Sequence, residues 1–303
     1  MSEQFCKVGD VELCYETFGD AGDTPLLLIM GLGTQMLAWR EDFCRMLVDR
    51  GFFVIRYDNR DIGRSTHLRD VRPPTVKQML LRDTRAAAYT LDDMAGDAAG
   101  LLDGLGIDAA HVVGASMGGM IAQMLAVRHP EKVLTLTSIM STTGHRLWGQ
   151  PSFTVYPFLL GARPKDKEEA VERIVKLFEV VGSPGFELNE ADLRDLAAKS
   201  FDRGQGDDAG TSRQLMAIIA SGNRTPALRR IKAPTLVIHG RNDKLVAPSG
   251  GRATARAIPG ARLVFFRGMG HDLPRQLWPH FVDLIAEHTS QVPSADRREP
   301  AAA

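Results

Sequence analysis

The chain has 303 residues, of which 44% are hydrophobic and 24% are charged, the proportions of an ordinary globular protein rather than a disordered or collagen-like chain. Lysine plus arginine number 37 and aspartate plus glutamate also number 37, so the formal net charge is zero. Because no basic field is present to gather phosphates, a nucleic-acid partner is not expected.

Neither a secretory signal nor a membrane span is predicted. Residues 1–18 lack a charged start followed by an apolar run. The longest apolar runs are far shorter than the ~20 residues needed to cross a bilayer. Cys6, Cys14 and Cys44 lack C-x-x-C spacing, which is typical of reduced thiols in a cytoplasmic protein.

Short branched apolar runs alternate with helical patterns along most of the chain. The predicted strands lie at 11–19, 25–30, 52–58, 110–116, 133–139, 234–240 and 262–268. The predicted helices lie at 36–50, 91–105, 117–129, 251–258 and 276–288. Strands that are apolar on both faces and alternate with helices predict an α/β fold, with a doubly wound, mostly parallel sheet.

One long segment breaks this alternation. Residues 142–228 contain only amphipathic helical patterns separated by glycine and proline residues, which favours a helical cap inserted between two strands. Residues 1–141 and 229–290 then form the core, and residues 291–303 are expected to be a flexible tail. Five apolar side chains near the start of the cap are candidates either to line a binding pocket or to pack inside the cap: Trp148, Phe153, Tyr156, Phe158 and Leu159.

The most informative motif joins the strand at 110–116 to the helix at 117–129. Gly114, Ser116 and Gly118 form a G-x-S-x-G pattern at this strand–turn–helix junction, the arrangement of a nucleophile elbow. A tight turn in a strained conformation would hold Ser116, and side chains at 114 and 118 would collide with it. Ser116 is therefore the predicted nucleophile.

A serine nucleophile needs a base, and the base needs an acid to orient it. Asp243 follows the strand at 234–240, and His271 follows the strand at 262–268, 28 residues later. Residues 139–150, after the preceding strand, contain no aspartate or glutamate, which leaves Asp243 as the better acid. His239 lies on the strand itself and is interpreted as a packed or hydrogen-bonded histidine.

Acyl transfer also needs donors for a developing oxyanion. The backbone N–H of Met117, directly after the nucleophile, is one predicted donor. The other is the N–H of Leu32, in the loop that Gly31 and Gly33 keep tight after the strand at 25–30.

In chain order, the segments PLLLIMG, YDNRDIGRS, GASMGGM, HGRND and GMGHDLP resemble those of the α/β-hydrolase family over residues 10–288. Within it the chain resembles actinobacterial serine esterases and the polyketide methyl-ester hydrolases of aromatic antibiotic pathways. Met30 stands where most relatives have histidine, and Asp61 stands where they have glycine. Asp58 and Arg60 of the second segment are expected to stabilise a turn rather than to catalyse.

The resemblance implies a serine hydrolase that cleaves a carboxylic ester of a small or medium apolar substrate through an acyl-enzyme. The alternatives are another acyl reaction of the same triad, namely perhydrolysis, lactone opening or C–C cleavage, and a non-catalytic binding protein. No cofactor or metal is expected, since GLGTQM has Met36 where a dinucleotide loop needs glycine and no zinc motif is present. The sequence leaves the oligomeric state open.

Overall fold

A computed structural model describes residues 2–160, 164–204 and 209–292. Its centre is an eight-stranded sheet in the order β1-β2-β4-β3-β5-β6-β7-β8. The strands are β1 (Gln4–Val8), β2 (Val11–Phe18), β3 (Thr24–Ile29), β4 (Phe52–Tyr57), β5 (Ala110–Ala115), β6 (Val133–Ile139), β7 (Thr235–Gly240) and β8 (Arg262–Phe266). Neighbouring strands from β4 to β8 in this order are parallel, while β1 and β2 are antiparallel. The predicted α/β, mostly parallel sheet is confirmed.

The seven predicted strands all occur, but the first strand, β1, was missed. β1 is an edge strand that pairs only with β2 and is largely exposed. Its sequence QFCKV has no apolar run, and the two alternating residues that pack against the core, Cys6 and Val8, are too few for a pattern search to detect.

Helices cover both faces of the sheet. They are α1 (Glu41–Val48), α2 (Val76–Leu80), α3 (Leu91–Gly104), α4 (Met117–Arg128), α5 (Tyr156–Leu160), α6 (Lys167–Val181), α7 (Glu190–Arg203), α8 (Ala209–Ser221), α9 (Thr225–Leu228), α10 (Ser249–Ala257) and α11 (Trp278–Thr289). Short 3-10 turns lie at Met36–Ala38, Thr84–Ala86, Pro130–Lys132, Phe153–Val155 and Arg275–Leu277.

The single helix predicted at 36–50 is wrong. A 3-10 turn at Met36–Ala38 and helix α1 are separated by extended backbone at Arg40, where ψ is 145°. The buried guanidinium of Arg56 takes the carbonyl of Trp39 as its acceptor. That carbonyl points to β4 instead of continuing a helix.

Alternate residues of the central strand β3 feed two hydrophobic clusters. Leu27 and Ile29 join the cluster that includes α3 and α4, whereas Leu26 and Leu28 join the cluster that includes α1 and α11. This period of two is what a strand covered on both faces requires. The carboxyl ends of β3, β5, β6, β7 and β8 consequently open onto one edge of the sheet.

Between β6 and β7 the described residues form helices α5 to α9 and no strand. We refer to residues 142–228 as the cap segment; its status as a separate domain stays a prediction. The expected flexible tail lies outside the described residues apart from 291 and 292. Searched over the part of the chain that the structure describes, no helix has the length and apolarity that a membrane span requires.

Candidate active site

Ser116 occupies the junction between β5 and α4 in a conformation that side chains rarely adopt. Its backbone has φ 57° and ψ −120°, and its N–H donates to the Ile139 carbonyl at 2.9 Å. A non-glycine residue held at positive φ costs about 1–3 kcal/mol, which the surrounding structure must supply. The strained turn predicted at Ser116 is present.

The glycines around Ser116 are required by close backbone contacts. A Cβ at position 114 would lie 2.2 Å from the Gly118 carbonyl oxygen, and one at position 118 would lie 2.1 Å from the Ile29 carbonyl oxygen. The sequence-based expectation that these side chains would collide with Ser116 itself is wrong in its detail. The glycines allow α4 to start directly against β5 and β3.

His271 lies between Ser116 and Asp243. Its Nε2 is 2.9 Å from Ser116 Oγ and its Nδ1 is 2.7 Å from Asp243 Oδ2. Asp243 and His271 are 4% and 8% exposed, so water screens this contact poorly. The three predicted residues, from three distant loops, form one continuous hydrogen-bonded chain.

The carboxylate of Asp243 is held by four groups. Oδ1 accepts the N–H groups of Leu245 and Val246 at 2.9 and 2.8 Å, and Oδ2 faces His271 and His239. Burial by itself raises the pKa of Asp243, but the charge and hydrogen bonds of His271 and His239 outweigh burial. The net pKa lies below the usual range, so this carboxylate is ionised at neutral pH.

His239 is packed on β7 as predicted, but its contact with Asp243 was missed. The fully buried ring donates through Nε2 to the Val246 carbonyl at 2.8 Å, and the same nitrogen is 3.3 Å from Asp243 Oδ2. In the sequence, only the separation of four residues between His239 and Asp243 pointed to this contact. That spacing indicates a contact on a helix, whereas here a turn after β7 brings the two side chains together.

The loop after β3 lies directly against the nucleophile. A Cβ at Gly31 would be 3.0 Å from the Cβ of Ser116. The N–H of Gly33 donates to Gln214 Oε1 at 2.9 Å, and Gln214 Nε2 donates to the Arg60 carbonyl at 2.8 Å. Helix α8 of the cap segment therefore holds the loop that contains Leu32.

The other proposed oxyanion donor, the N–H of Met117, directly follows Ser116 in the chain. Met117 is the first residue of α4, and the N–H groups of the first helical turn have no acceptor within their own helix. The helix start also carries partial positive charge, which favours an anion at this place.

The segment around Asp58 is structural, as the sequence suggested. Asp58 accepts the N–H groups of Met36 and Arg64 at 2.8 and 2.9 Å, and Arg60 forms two 2.5 Å hydrogen bonds with Asp97. The structure gives a reason for aspartate at position 61, where relatives have glycine. Asp61 adopts φ 67° and pairs with Arg213 of α8 through two hydrogen bonds of 2.8 and 2.7 Å. Both side chains of this pair are essentially inaccessible to water.

Several of the apolar cap residues proposed for a pocket lie at the surface. Phe153 is 90% exposed, Trp148 is 47% exposed and Tyr156 is 37% exposed. Packing inside the cap, the alternative for these residues, does not describe those three. In the described residues, no group of three or more His, Cys, Asp and Glu side chains is arranged to hold a metal ion.

Comparisons with known proteins identify the family to which this fold belongs. A family model for the alpha/beta hydrolase fold matches residues 24–274. Rhodomycin D methylesterase DnrP of Streptomyces peucetius is 33% identical over 305 residues, covering 92% of this chain and 95% of the relative. A 3-oxoadipate enol-lactonase of Acinetobacter baylyi is 28% identical and covers 80% of each chain.

Solved structures share the same architecture. The crystal structure of the enol-lactonase from Burkholderia xenovorans covers 95% of this chain and 100% of its own, with a TM-score of 0.70 and 24% identity. The chain belongs to the α/β-hydrolase family. The resemblance predicted from the motifs is confirmed.

Proposed function

We propose that this chain is a serine hydrolase that cleaves a carboxylic ester through an acyl-enzyme. The observation that carries the proposal is the chain of contacts from Ser116 Oγ to His271 Nε2 at 2.9 Å and from His271 Nδ1 to Asp243 Oδ2 at 2.7 Å. In this arrangement Ser116 is the nucleophile, His271 the general base and Asp243 the group that orients the imidazole.

In the first half-reaction, Ser116 Oγ attacks the ester carbonyl carbon while its proton passes to His271 Nε2. Asp243 keeps the proton of His271 on Nδ1, so that Nε2 is free to accept. The tetrahedral intermediate collapses when His271 returns the proton to the leaving alcohol, and the acyl group stays on Ser116. Water then repeats the sequence on the acyl-enzyme and releases the carboxylic acid.

The N–H groups of Leu32 and Met117 are the proposed donors to the oxyanion. The close approach of Gly31 to Ser116 and the start of α4 directly after Ser116 support this assignment, because both segments adjoin the nucleophile. Donors already in place do not reorganise during the reaction, and each is worth about 3 kcal/mol of transition-state stabilisation.

A methyl ester of an aromatic molecule is the proposed substrate class. It is supported by the 33% identity with Rhodomycin D methylesterase along nearly the full length of both chains. Lactone opening is the second candidate, because a 3-oxoadipate enol-lactonase is 28% identical. A lactone is a cyclic ester, so the same residues would act on it in the same order.

The test combines a covalent probe with two substrate series. A fluorophosphonate should label the wild-type chain at Ser116 and leave Ser116→Ala unlabelled. Hydrolysis of an aromatic methyl ester should exceed that of p-nitrophenyl acetate and of an enol-lactone in kcat/KM. Absence of labelling together with absence of hydrolysis in all three assays would overturn the enzyme assignment, while a preference for the lactone would reverse the order of the candidates.

Substitution of the triad gives the largest effects on activity. Ser116→Ala and His271→Ala should each lower kcat about 10⁴-fold, because the nucleophile and base act as one unit. His280→Ala is the matched control, since His280 lies exposed on α11 and should leave kcat unchanged. A loss of only about tenfold for His271→Ala would contradict its role as the base.

A further inference from the structure

The loop that carries His271 is enclosed between two other segments. On one side, Asn242 N–H donates to the Met269 carbonyl at 2.9 Å, which joins the loop to the turn that holds Asp243. On the other side lie residues 181–186 of the cap segment, which begin at the last residue of α6. We refer to residues 181–186 as the strap.

The strap contacts the histidine loop at the backbone. His271 N–H donates to the Val181 carbonyl at 2.7 Å, and Gly185 N–H donates to the Gly268 carbonyl at 3.0 Å. A Cβ at Gly270 would lie 2.2 Å from the Gly182 carbonyl oxygen, so the two segments touch without an intervening side chain. The backbone of His271 is thus hydrogen-bonded directly to the cap segment.

Ser183 adds a side-chain link to both neighbours of His271. Its Oγ accepts the N–H of Gly270 at 2.8 Å and donates its own proton to Asp272 Oδ1. One hydroxyl therefore joins residue 270 to residue 272, across the histidine between them. Asp272 is partly buried, so its carboxylate is poorly solvated and loss of the hydroxyl that donates to it is costly.

We propose that Ser183 is a positioning residue that sets the orientation of His271, a role that rests on the proposed ester hydrolysis. Ser183 touches no reacting group; it acts through the backbone N–H of Gly270 and the carboxylate of Asp272, on either side of the imidazole. Asp243 and Ser116 contact the two ring nitrogens of His271, while Ser183 holds the residues on either side of it, Gly270 and Asp272. Ser183 therefore sets where the imidazole lies relative to its two ring partners.

Loss of the Ser183 hydroxyl should therefore reduce turnover more than binding. In Ser183→Ala we expect kcat to fall about tenfold or more while KM changes less than about twofold, since a small misplacement of a catalytic group is expensive. Ser183→Thr keeps the hydroxyl and should restore most of kcat. Amide hydrogen exchange at Gly270 should speed up in Ser183→Ala and return toward the wild-type rate in Ser183→Thr.

Ser221→Ala is the matched control. Ser221 Oγ also accepts one backbone N–H, from Leu91 at 2.9 Å, and donates to one oxygen, the Ala217 carbonyl at 2.8 Å. Each variant loses one accepted and one donated hydrogen bond, but only Ser183 contacts the neighbours of His271. A similar fall of the melting temperature in both, with a fall of kcat in Ser183→Ala alone, is the expected result.

A second variant tests the bridge if Ser183→Ala is poorly folded. Asp272→Ala removes the other end and should lower kcat less than Ser183→Ala, and the double variant should be no worse than Ser183→Ala, because the two residues act through one link. Additive losses, or unchanged kcat in Ser183→Ala, would overturn the positioning role while Ser116-dependent hydrolysis by the wild type stands. Absence of wild-type hydrolysis and of Ser116 labelling would instead overturn the proposed function, and the role of Ser183 with it.

Discussion

Two parts of the cap segment reach the site, and they do so by different chemistry. Helix α8 reaches the loops after β3 and β4 through a buried ion pair, Arg213 with Asp61, and through the amide of Gln214. The strap reaches the His271 loop through backbone carbonyls and the hydroxyl of Ser183. One attachment depends on buried charge, and the other depends mainly on neutral groups.

Because of this difference, we expect the α8 attachment to affect mainly the stability of the fold and the strap to affect mainly the geometry of the site. A buried ion pair contributes little when intact but is expensive to break, because the remaining charge stays desolvated. A neutral hydrogen bond contributes about 1 kcal/mol, so its loss is tolerated by the fold while the atoms it held move apart. Substitutions at the α8 attachment should therefore lower mainly the free energy of unfolding. Substitutions at the strap should lower mainly kcat.

Of the residues that attach the cap segment, Asp61 is expected to have the largest effect on stability. Asp61→Asn removes the charge but keeps a residue that tolerates φ 67°, so backbone strain is not changed. We expect the free energy of unfolding to fall by about 3 kcal/mol, measured by urea denaturation. Asp283→Asn, which breaks the exposed pair with Arg50, should cost less than about 1 kcal/mol. Equal costs at the two sites would remove the distinction between the attachments.

Gln214 should show an intermediate effect on both properties. Gln214→Leu leaves the Gly33 N–H without its acceptor and the Arg60 carbonyl without its donor, which should cost about 1–3 kcal/mol of stability. Because Gly33 is adjacent to the proposed oxyanion donor Leu32, kcat/KM should also fall about tenfold. A variant with lower stability and wild-type kcat/KM would show that α8 supports the fold but not the loop geometry.

The smallest expected effect is on the pH dependence of stability at Asp272, which accepts a hydrogen bond from Ser183 of the strap. Burial raises the pKa of Asp272 above its usual value, against the hydrogen bond from Ser183 and the charge of His271. The folded state therefore disfavours the carboxylate at pH 7, and this penalty disappears when the pH falls below the unfolded pKa. Asp272→Asn should be slightly more stable than the wild type at pH 7, by less than about 1 kcal/mol, and no more stable at pH 3. Urea titrations at both pH values measure the difference, and a gain at pH 3 equal to that at pH 7 would contradict it.

Local sequence patterns were sufficient to predict the buried strands and the turn that holds Ser116. Strands covered on both faces produced apolar runs, and the motif at Gly114–Gly118 marked the turn that holds Ser116. The order of Ser116, Asp243 and His271 at strand ends then placed them at one edge, because parallel strands bring their carboxyl ends together.

Contacts made by the cap segment could not be predicted in this way. Gln214 is 181 residues from Gly33, and Ser183 is 87 residues from Gly270. Neither residue lies in a motif, and serine and glutamine are ordinary residues at helix ends and on helix faces. Their partners depend on how the cap packs, which is a three-dimensional property without a local pattern. Asp61 was visible as a departure from its family, but its partner Arg213 was not.

The conformation of Ser116 also has a consequence for stability. At φ 57° glycine is the residue of least strain, so the serine there is maintained at the expense of folding free energy. A chain that did not need the hydroxyl would gain stability from a single change to glycine, because glycine adopts this conformation without strain. Serine at this position is therefore a residue that the proposed acyl transfer requires and that stability alone would not favour.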